Sequence, residues 1–154
     1  MEISDLLSSE NVYVGLRATS KKQALQELAH RAAEITGLHE RSIFDVLLER
    51  ERLGTTGVGK GIAIPHGKLA DLERLYGVFA RLDTPVEFEA VDDQPVDLIF
   101  LLLAPESAGA DHLKALARVS RLLRDGKVCD TLRKSDDVEA IFALLTAGTA
   151  NHAA

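Results

Sequence analysis

One stretch decides the fold class of this 154-residue chain: Val96-Asp97-Leu98-Ile99-Phe100-Leu101-Leu102-Leu103. Successive side chains of a strand point to opposite faces of its sheet, so a strand with one solvated face carries a polar residue at about every second position. After Asp97 this stretch is apolar at every position. That pattern indicates burial on both faces, and therefore a strand at the centre of a sheet that is covered by helices on each side.

Shorter β-prone segments lie on both sides of this central strand. Residues 12–16 and 62–64 are short apolar runs, and residues 75–82 combine apolar and β-branched positions in the pattern of a strand. Residues 85–90 form a possible short edge strand, because their proline is tolerated only at an edge. The chain therefore predicts about five strands.

Helical segments separate the strands. Ser20, followed by Gln23, matches a capping box at the start of the first helix, and Gly37 marks its expected end. Apolar residues at helical spacing predict four more helices: one that ends before Gly54, one that begins at Asp111, one over residues 128–132 and one capped by Ser135.

Strands and helices interleave without a repeat or a linker, which predicts a single α/β domain over residues 1–147. Its core is expected to be a central mixed β-sheet of about five strands, flanked by helices on both faces. Residues 148–154 are small and polar, so we predict a flexible C-terminal tail.

Charge and cysteine content exclude several classes of function. With 18 Lys+Arg against 24 Asp+Glu the formal net charge is −6, and we expect no nucleic-acid partner because phosphate backbones are bound by clustered cations. Cys129, the single cysteine, can form neither an internal disulfide nor a multi-thiolate metal centre, and its apolar helical surroundings predict a buried structural thiol. The acidic N-terminus is unlike a secretory signal, and the aliphatic run 99–104 is too short to span a bilayer. We therefore expect a cytoplasmic protein without membrane insertion.

Of the five histidines, His66 has the most informative neighbours. Pro65 before it ends the preceding strand, and Gly67 after it removes bulk and lets the chain turn away, so His66 is expected at a sharp change of direction at the mouth of the sheet. These features fit a functional histidine and a structural turn about equally. His30, His39 and His152 are interpreted as surface residues.

A glycine-rich loop precedes His66. Residues 54–60 fit the first seven positions of the nucleotide-binding pattern G-x-x-x-x-G-K-[ST], but Gly61 stands where the magnesium-binding hydroxyl is required. The loop also runs from a helix to a strand, the reverse of a P-loop. We therefore predict that it binds no nucleotide. Two interpretations remain, a bend between packed elements or backbone N–H groups that face an anion beside His66.

Two segments carry a resemblance to a known family. The stretch 50–67, Arg-Glu-Arg-Leu-Gly-Thr-Thr-Gly-Val-Gly-Lys-Gly-Ile-Ala-Ile-Pro-His-Gly, resembles the active-histidine signature of the mannitol/fructose-type (type 2) enzyme IIA domains of the bacterial phosphoenolpyruvate-dependent phosphotransferase system. Residues 111–117 resemble the second histidine segment of that family. The similarity spans nearly the whole chain and is greatest to the nitrogen-regulatory branch.

The resemblance implies a phosphohistidine carrier. His66 would accept a phosphoryl group from an HPr-type carrier protein, Arg50 would offer a planar donor fork to the phosphoryl oxygens, and His112 would donate a further hydrogen bond. No metal or cofactor is implied. Without the resemblance, Arg50 would be interpreted as an ordinary solvated charge among its charged neighbours, and His112 as a surface residue at a helix start.

Several functions remain open from the sequence. Within the family, the protein would be either a phosphorylation-dependent regulator of target proteins or a sugar-specific component that passes phosphate to a IIB domain of a fructose/mannitol-type permease. From other classes, the alternatives are a metal-dependent hydrolase that uses His66, His112 and Asp111, and an interaction module without chemistry. The hydrolase lacks a recognisable ligand motif.

Overall fold

The computed structural model describes residues 2–152, with side chains described for residues 2–147. Six strands and five helices follow two short 3₁₀ turns. The strands are β1 (Val12–Leu16), β2 (Gly57–Gly59), β3 (Ile62–Ala63), β4 (His66–Leu69), β5 (Tyr76–Val86) and β6 (Val96–Pro105). The helices are α1 (Lys21–Thr36), α2 (Glu40–Arg52), α3 (Ala110–Leu123), α4 (Gly126–Lys134) and α5 (Val138–His152).

The strands form one mixed sheet in the order β1-β5-β6-β3-β2, and β4 also pairs with β6. β1 is parallel to β5, β5 is antiparallel to β6, and β3 and β4 are both parallel to β6. Ile62 pairs with Leu98 and His66 pairs with Leu102, so the register is the same before and after Pro65. β3 and β4 are therefore one straight line of chain along β6, interrupted at two residues.

β6 lies at the centre of the sheet, as its sequence predicts, and its side chains alternate between two cores. Ile99, Leu101 and Leu103 belong to the core under α1 and α2. Leu98 and Phe100 belong to the core under α3, α4 and α5. The predicted α/β class, with helices on both faces of a mixed sheet, is confirmed, and the sheet has six strands in this part of the chain.

Local signals at the ends of α1 act nearly as predicted. Ser20 Oγ accepts a hydrogen bond from the Gln23 backbone N–H at 3.1 Å, and Gly37 ends the helix with a φ of 76°. The Gln23 side chain reaches back one residue further than a regular capping box, to Thr19. Cys129 is buried as predicted, and burial raises the pKa of its thiol.

Two predictions about element ends are wrong. Residues 85–90 form no separate edge strand, since Val86 is the last residue of β5 and Phe88 is buried in the core beside a turn in which Glu89 has a φ of 56°. Ser135 ends α4 instead of capping α5, and the Asp137 carboxylate accepts from the Glu139 N–H at the start of α5.

The described helices include none that is long and apolar enough to cross a membrane. The backbone of α5 continues to His152. The side chains of residues 148–154, which the sequence predicts to be a flexible tail, lie outside the described residues.

Candidate functional site

His66 is the first residue of β4, and both nitrogens of its ring have a partner. Nδ1 lies 2.9 Å from the Ile64 carbonyl oxygen, and Nε2 lies 3.2 Å from Nε of Arg50. A guanidinium N–H can only donate and a carbonyl can only accept. The network therefore assigns the proton to Nδ1 and the lone pair to Nε2.

The chain does not turn away at Gly67, contrary to the expectation from the sequence. Gly67 lies inside β4, and a Cβ at this position would come within 2.4 Å of Val46 Cγ1 on α2. The absence of a side chain therefore allows α2 to approach β4 closely. Val46 and Arg50 are four residues apart on α2 and share one helix face, so this close approach brings Arg50 to His66.

Arg50 bridges His66 and the loop that follows α2. Its Nη1 donates to the Gly54 carbonyl oxygen at 2.9 Å while its Nε reaches His66. The acidic neighbours Glu49 and Glu51, which suggested a solvated arginine, have partners other than Arg50. Glu49 pairs with Arg52 at 2.9 Å, and Glu51 turns into the protein. Arg50 is thus held at the imidazole by its own contacts.

Glu51 anchors the end of α2, a role that the sequence did not reveal. Its side chain is only 4% exposed and forms an ion pair with Lys21 of α1 at 3.0 Å. It also accepts from the backbone N–H of Thr56 at 2.9 Å and from the Thr56 hydroxyl. The carboxylate therefore joins α1, α2 and the following loop beside Arg50. The sequence gives no signal for this role, because the partners Lys21 and Thr56 come from two other segments of the chain.

His112 comes to the same place from the other side of the sheet. It is the third residue of α3, and its ring centroid lies 5.5 Å from that of His66 with the planes tilted by 53°. The interpretation as a surface residue is wrong, since His112 is only 7% exposed. Its Nδ1 is buried without a hydrogen-bond partner. The structure thus brings together Arg50, His66 and His112.

Burial lowers the pKa of both imidazoles. For His66, burial is the largest effect, the hydrogen bond to the Ile64 carbonyl opposes it, and the Arg50 charge adds to it. For His112, burial is followed by the charges of His66 and Lys68, which also lower its pKa. Both rings are therefore expected to be neutral near pH 7, and a neutral His66 keeps the lone pair on Nε2.

The glycine-rich loop is a structural hairpin. β2 and β3 pair antiparallel around a turn at Lys60 and Gly61. Three of its backbone N–H groups are taken by side chains of the protein: that of Thr56 by Glu51, that of Gly57 by Thr55 Oγ1, and that of Lys60 by Asp92. These groups do not face an anion beside His66. Of the two interpretations of the loop, the structure favours the bend.

The structure explains why residue 61, which departs from the nucleotide-binding pattern, is a glycine. It has a φ of 80°, and a Cβ there would lie 2.6 Å from Arg133 Nη2 and 2.9 Å from Asp97 Oδ1. Arg133 forms a two-pronged ion pair with Asp97, at 2.9 and 3.0 Å, and donates to the Lys60 carbonyl oxygen at 2.8 Å. Position 61 must therefore lack a side chain, because a Cβ there would overlap with this ion pair. The loop follows helix α2 and precedes strand β2, as predicted, and so lacks the context of a P-loop.

Residues outside this group have other roles. His30 is exposed and lies between Glu34 and Glu40, at 3.3 and 2.7 Å, and His39 is exposed at the start of α2. Both are surface residues as predicted. Among the described side chains no group of three or more His, Cys, Asp or Glu residues could hold a metal ion.

Over nearly its whole length the chain is similar to known proteins of one family. The family described as "Phosphoenolpyruvate-dependent sugar phosphotransferase system, EIIA 2" matches residues 5–148. The nitrogen regulatory protein of Bradyrhizobium diazoefficiens is 62% identical over 145 residues, which are 94% of this chain and 95% of that protein. The crystal structure of nitrogen regulatory protein IIA-Ntr from Neisseria meningitidis has a TM-score of 0.89 and 34% identity, over 94% of this chain and 99% of that one. The IIA mannitol structure from Escherichia coli has a TM-score of 0.76 and 25% identity, over 90% and 98%.

The chain therefore belongs to the EIIA type 2 family of the phosphoenolpyruvate-dependent sugar phosphotransferase system. The resemblance found in the active-histidine segment is confirmed, and with it the assignment to the phosphotransfer components of that system.

Proposed function

We propose that this protein is a phosphohistidine carrier that accepts one phosphoryl group on Nε2 of His66 from an HPr-type carrier protein. The observation that carries the proposal is the pair of contacts made by the two ring nitrogens of His66, which assigns the tautomer. The Ile64 carbonyl oxygen holds the proton on Nδ1 and leaves the lone pair on Nε2, 3.2 Å from Arg50. A neutral imidazole with a free lone pair is a nucleophile that needs no general base.

The transfer exchanges one nitrogen–phosphorus bond for another. As the bond in the donor's phosphohistidine breaks, the donor ring recovers its electron pair, while the Nε2 lone pair of His66 forms the new bond. The Nδ1–H of His66 remains hydrogen-bonded to the Ile64 carbonyl, which disperses the positive charge that develops on the ring. The leaving group is a neutral imidazole because the donor's phosphohistidine ring reacts with a proton on its other nitrogen, so each ring keeps its own proton and no metal is required to neutralise the leaving group.

Arg50 has to change partner during this step. In the unphosphorylated site its Nε donates to the atom that becomes phosphorylated, so the guanidinium must release Nε2 before the new bond forms. The Gly54 carbonyl keeps its other end in place at 2.9 Å. From there the planar fork can donate to phosphoryl oxygens. His112, at 5.5 Å between ring centroids, is positioned to donate one neutral hydrogen bond.

The regulatory role is favoured over sugar transport. The 62% identity to a nitrogen regulatory protein, over nearly the full length of both chains, exceeds the 25% identity to the mannitol IIA structure. We therefore propose that the phosphorylated and unphosphorylated forms bind regulatory target proteins in the cytoplasm with different affinity. The sugar-specific alternative predicts instead that phospho-His66 passes its group to a IIB domain, which incubation with a purified IIB domain would detect.

The test is incubation with phosphoenolpyruvate, enzyme I and an HPr-type protein, followed by intact-mass measurement. We expect a single phosphoryl adduct that is lost in acid and kept in alkali, as is typical of a phosphoramidate. His66→Ala should abolish it, and the surface variant His39→Ala should not. An adduct that persists in His66→Ala, or no adduct on the wild type, would overturn the proposal.

The metal-dependent hydrolase has no observation in its favour. His66 and His112 are close, but the described side chains offer no third ligand to complete a metal site. Phosphatase or esterase activity that is removed by a chelator would support that alternative instead.

A further inference from the structure

We propose that Lys68 is the second cationic partner of the phosphoryl group carried by His66, and that its charge sets how far phosphoryl transfer proceeds at equilibrium. This inference rests on the proposed phosphorylation of His66. It begins with the charge that the phosphoryl oxygens would carry in the site formed by Arg50, His66 and His112.

A phosphoryl group on an imidazole carries nearly two negative charges near pH 7. Arg50 supplies one positive charge. In the unphosphorylated protein burial, followed by the charges of His66 and Lys68, lowers the pKa of His112, so His112 enters the transfer as a neutral hydrogen-bond donor. The positive charge that the transfer leaves on the His66 ring lies at Nδ1, against the Ile64 carbonyl. Arg50 is therefore the one full positive charge that these residues direct at the phosphoryl oxygens, in a half-buried place where incomplete compensation is costly.

Strand geometry puts Lys68 on the correct side of the sheet. Residues two apart on a strand share a face and lie about 7 Å apart, a distance that a lysine side chain can cover. In β4, Gly67 and Leu69 are buried, whereas His66 is half-buried and Lys68 is exposed. The ammonium of Lys68 therefore emerges on the same face as the imidazole of His66.

The register confirms which helix this face meets. Lys68 pairs with Ala104 of β6, and Ala104 packs in a small core with Ala115 of α3. Ala115 is one helical turn after His112. Lys68 thus lies beside the same stretch of α3 that carries the second histidine. Lys68 is close enough to His112 for its positive charge to lower the pKa of that ring.

Nothing in the described part of the chain occupies Lys68 in the unphosphorylated protein. Among the described side chains, the ion pairs are formed by other residues, and none includes Lys68. Lys21, in contrast, is held by Glu51 at 3.0 Å. Lys68 can therefore turn to the phosphoryl group without breaking an existing pair.

The experiment measures the equilibrium constant for phosphoryl exchange between His66 and a purified phosphorylated HPr-type protein, in both directions, for three variants and the wild type. Lys68→Gln should lower that constant about 3- to 10-fold, and the deficit should shrink at high salt because the pair is exposed. Lys68→Arg should restore most of it. Lys22→Gln is the matched control, since Lys22 is an exposed, unpaired lysine on α1, across the sheet, and it should leave the constant unchanged.

Three results would overturn the assignment of Lys68. An equilibrium constant equal to the wild-type value in Lys68→Gln would remove its role. Slower phosphorylation of His66 in Lys68→Gln, with an unchanged equilibrium constant, would show that Lys68 acts in binding of the donor protein instead. A loss that Lys68→Arg does not restore would show that packing, not charge, is responsible. If the wild type accepts no phosphoryl group at all, the proposed function fails as well, whereas normal phosphorylation of all variants overturns the role of Lys68 alone.

Discussion

The line of chain formed by β3 and β4 has two ends that use their polar groups differently. At the hairpin end, Asp97 and Arg133 pair with each other, and Arg133 also binds the Lys60 carbonyl oxygen. At the other end, the capacity for hydrogen bonds exceeds the partners present. Nδ1 of His112 is buried without one, and Nε2 of His66 is contacted by Arg50, a donor that the proposed transfer would displace.

This difference distinguishes the structural hairpin from the candidate site. The hairpin matches most of a well-known phosphate-binding pattern, yet its backbone N–H groups at Thr56, Gly57 and Lys60 are already used within the protein. The His66 end matches no general pattern of that kind, but it holds groups whose bonding is incomplete in the resting protein. The buried Nδ1 of His112 without a partner, beside His66, fits a ligand site better than the glycine-rich hairpin does.

Removal of Arg50 should have the largest effect at the His66 end. A charge-assisted donor to the transferring group is worth ~2–4 kcal/mol of transition-state stabilisation, so Arg50→Ala should slow phosphorylation of His66 by roughly 30- to 1,000-fold. Arg50→Lys keeps the charge without the fork and should recover part of that loss. Rapid-quench phosphotransfer time courses provide the measurement.

The matched control for Arg50 is Arg52→Ala, because Arg52 lies in the same helical turn and pairs with Glu49 on an exposed face. Its rate should stay close to that of the wild type. Equal rates for Arg50→Ala and the wild type, with unchanged circular dichroism, would show that Arg50 takes no part in the transfer.

At the hairpin end, substitution of Gly61 should reduce stability and leave the chemistry intact. Gly61→Ala forces a side chain into a left-handed backbone and against Arg133 and Asp97, so the free energy of unfolding should fall by about 2–4 kcal/mol. Urea denaturation measures that loss, and the phosphorylation rate of the folded variant should change less than twofold.

Gly37→Ala separates strain from contact in this measurement. Gly37 has a similar φ of 76°, but a Cβ there meets nothing within 4 Å. We expect a loss of only about 1 kcal/mol from backbone strain. If both glycine variants lower the free energy of unfolding by the same amount, contact with Arg133 and Asp97 does not explain why residue 61 is a glycine.

His112 should contribute less to transfer than Arg50, because a neutral donor forms weaker hydrogen bonds than a charged one. His112→Ala should slow phosphorylation about 5- to 20-fold, and His112→Gln, which keeps an N–H donor, should be less impaired. The same rapid-quench assay applies. A His112→Ala rate lower than that of Arg50→Ala would reverse the ranking of the two residues.

The smallest effect concerns pH. Because burial lowers the pKa of His66, the phosphorylation rate should hold constant down to the ordinary histidine pKa of about 6.5 and fall only below it, as the ring becomes protonated. The free energy of unfolding should also decrease as the pH falls below 6.5, since the unfolded chain binds this proton more readily than the folded one. NMR titration of the His66 ring gives the pKa directly.

The Arg50 charge is one cause of the lowered pKa, so Arg50→Gln should move the His66 titration towards its ordinary value. A His66 ring that titrates above 6.5 in the wild type would contradict the arrangement in which Nε2 remains unprotonated.

The sequence predicts the parts of this structure that depend on local pattern. The apolar run in β6 predicts its burial on both faces, and Ser20 and Gly37 predict the ends of α1, because each signal acts within a few residues. The resemblance of residues 50–67 and 111–117 to a known family indicates His66, Arg50 and His112 as candidate site residues, but it does not give their geometry.

Contacts between distant segments are what the sequence does not reveal. Gly67 suggests a turn because a glycine permits one, whereas the structure uses it to admit Val46 of α2. From the sequence, Gly61 is only a departure from a phosphate-binding motif, whereas the structure shows that Arg133 packs against it. The burial of His112 depends on how α3 lies over the sheet, and no local pattern carries that information.

The interruption between β3 and β4 has a consequence for the direction of the reaction. It leaves the Ile64 carbonyl facing the ring of His66, so the protonation state of the ring is fixed before any donor arrives. If no proton has to be extracted from the acceptor and no water molecule is consumed, the forward and backward steps pass through the same arrangement of groups. In the proposed transfer, the new nitrogen–phosphorus bond would keep the transfer potential of the phosphoryl group, because no hydrolysis occurs. The phosphorylated fraction of the protein would then report the ratio of phosphorylated to free donor, in both directions.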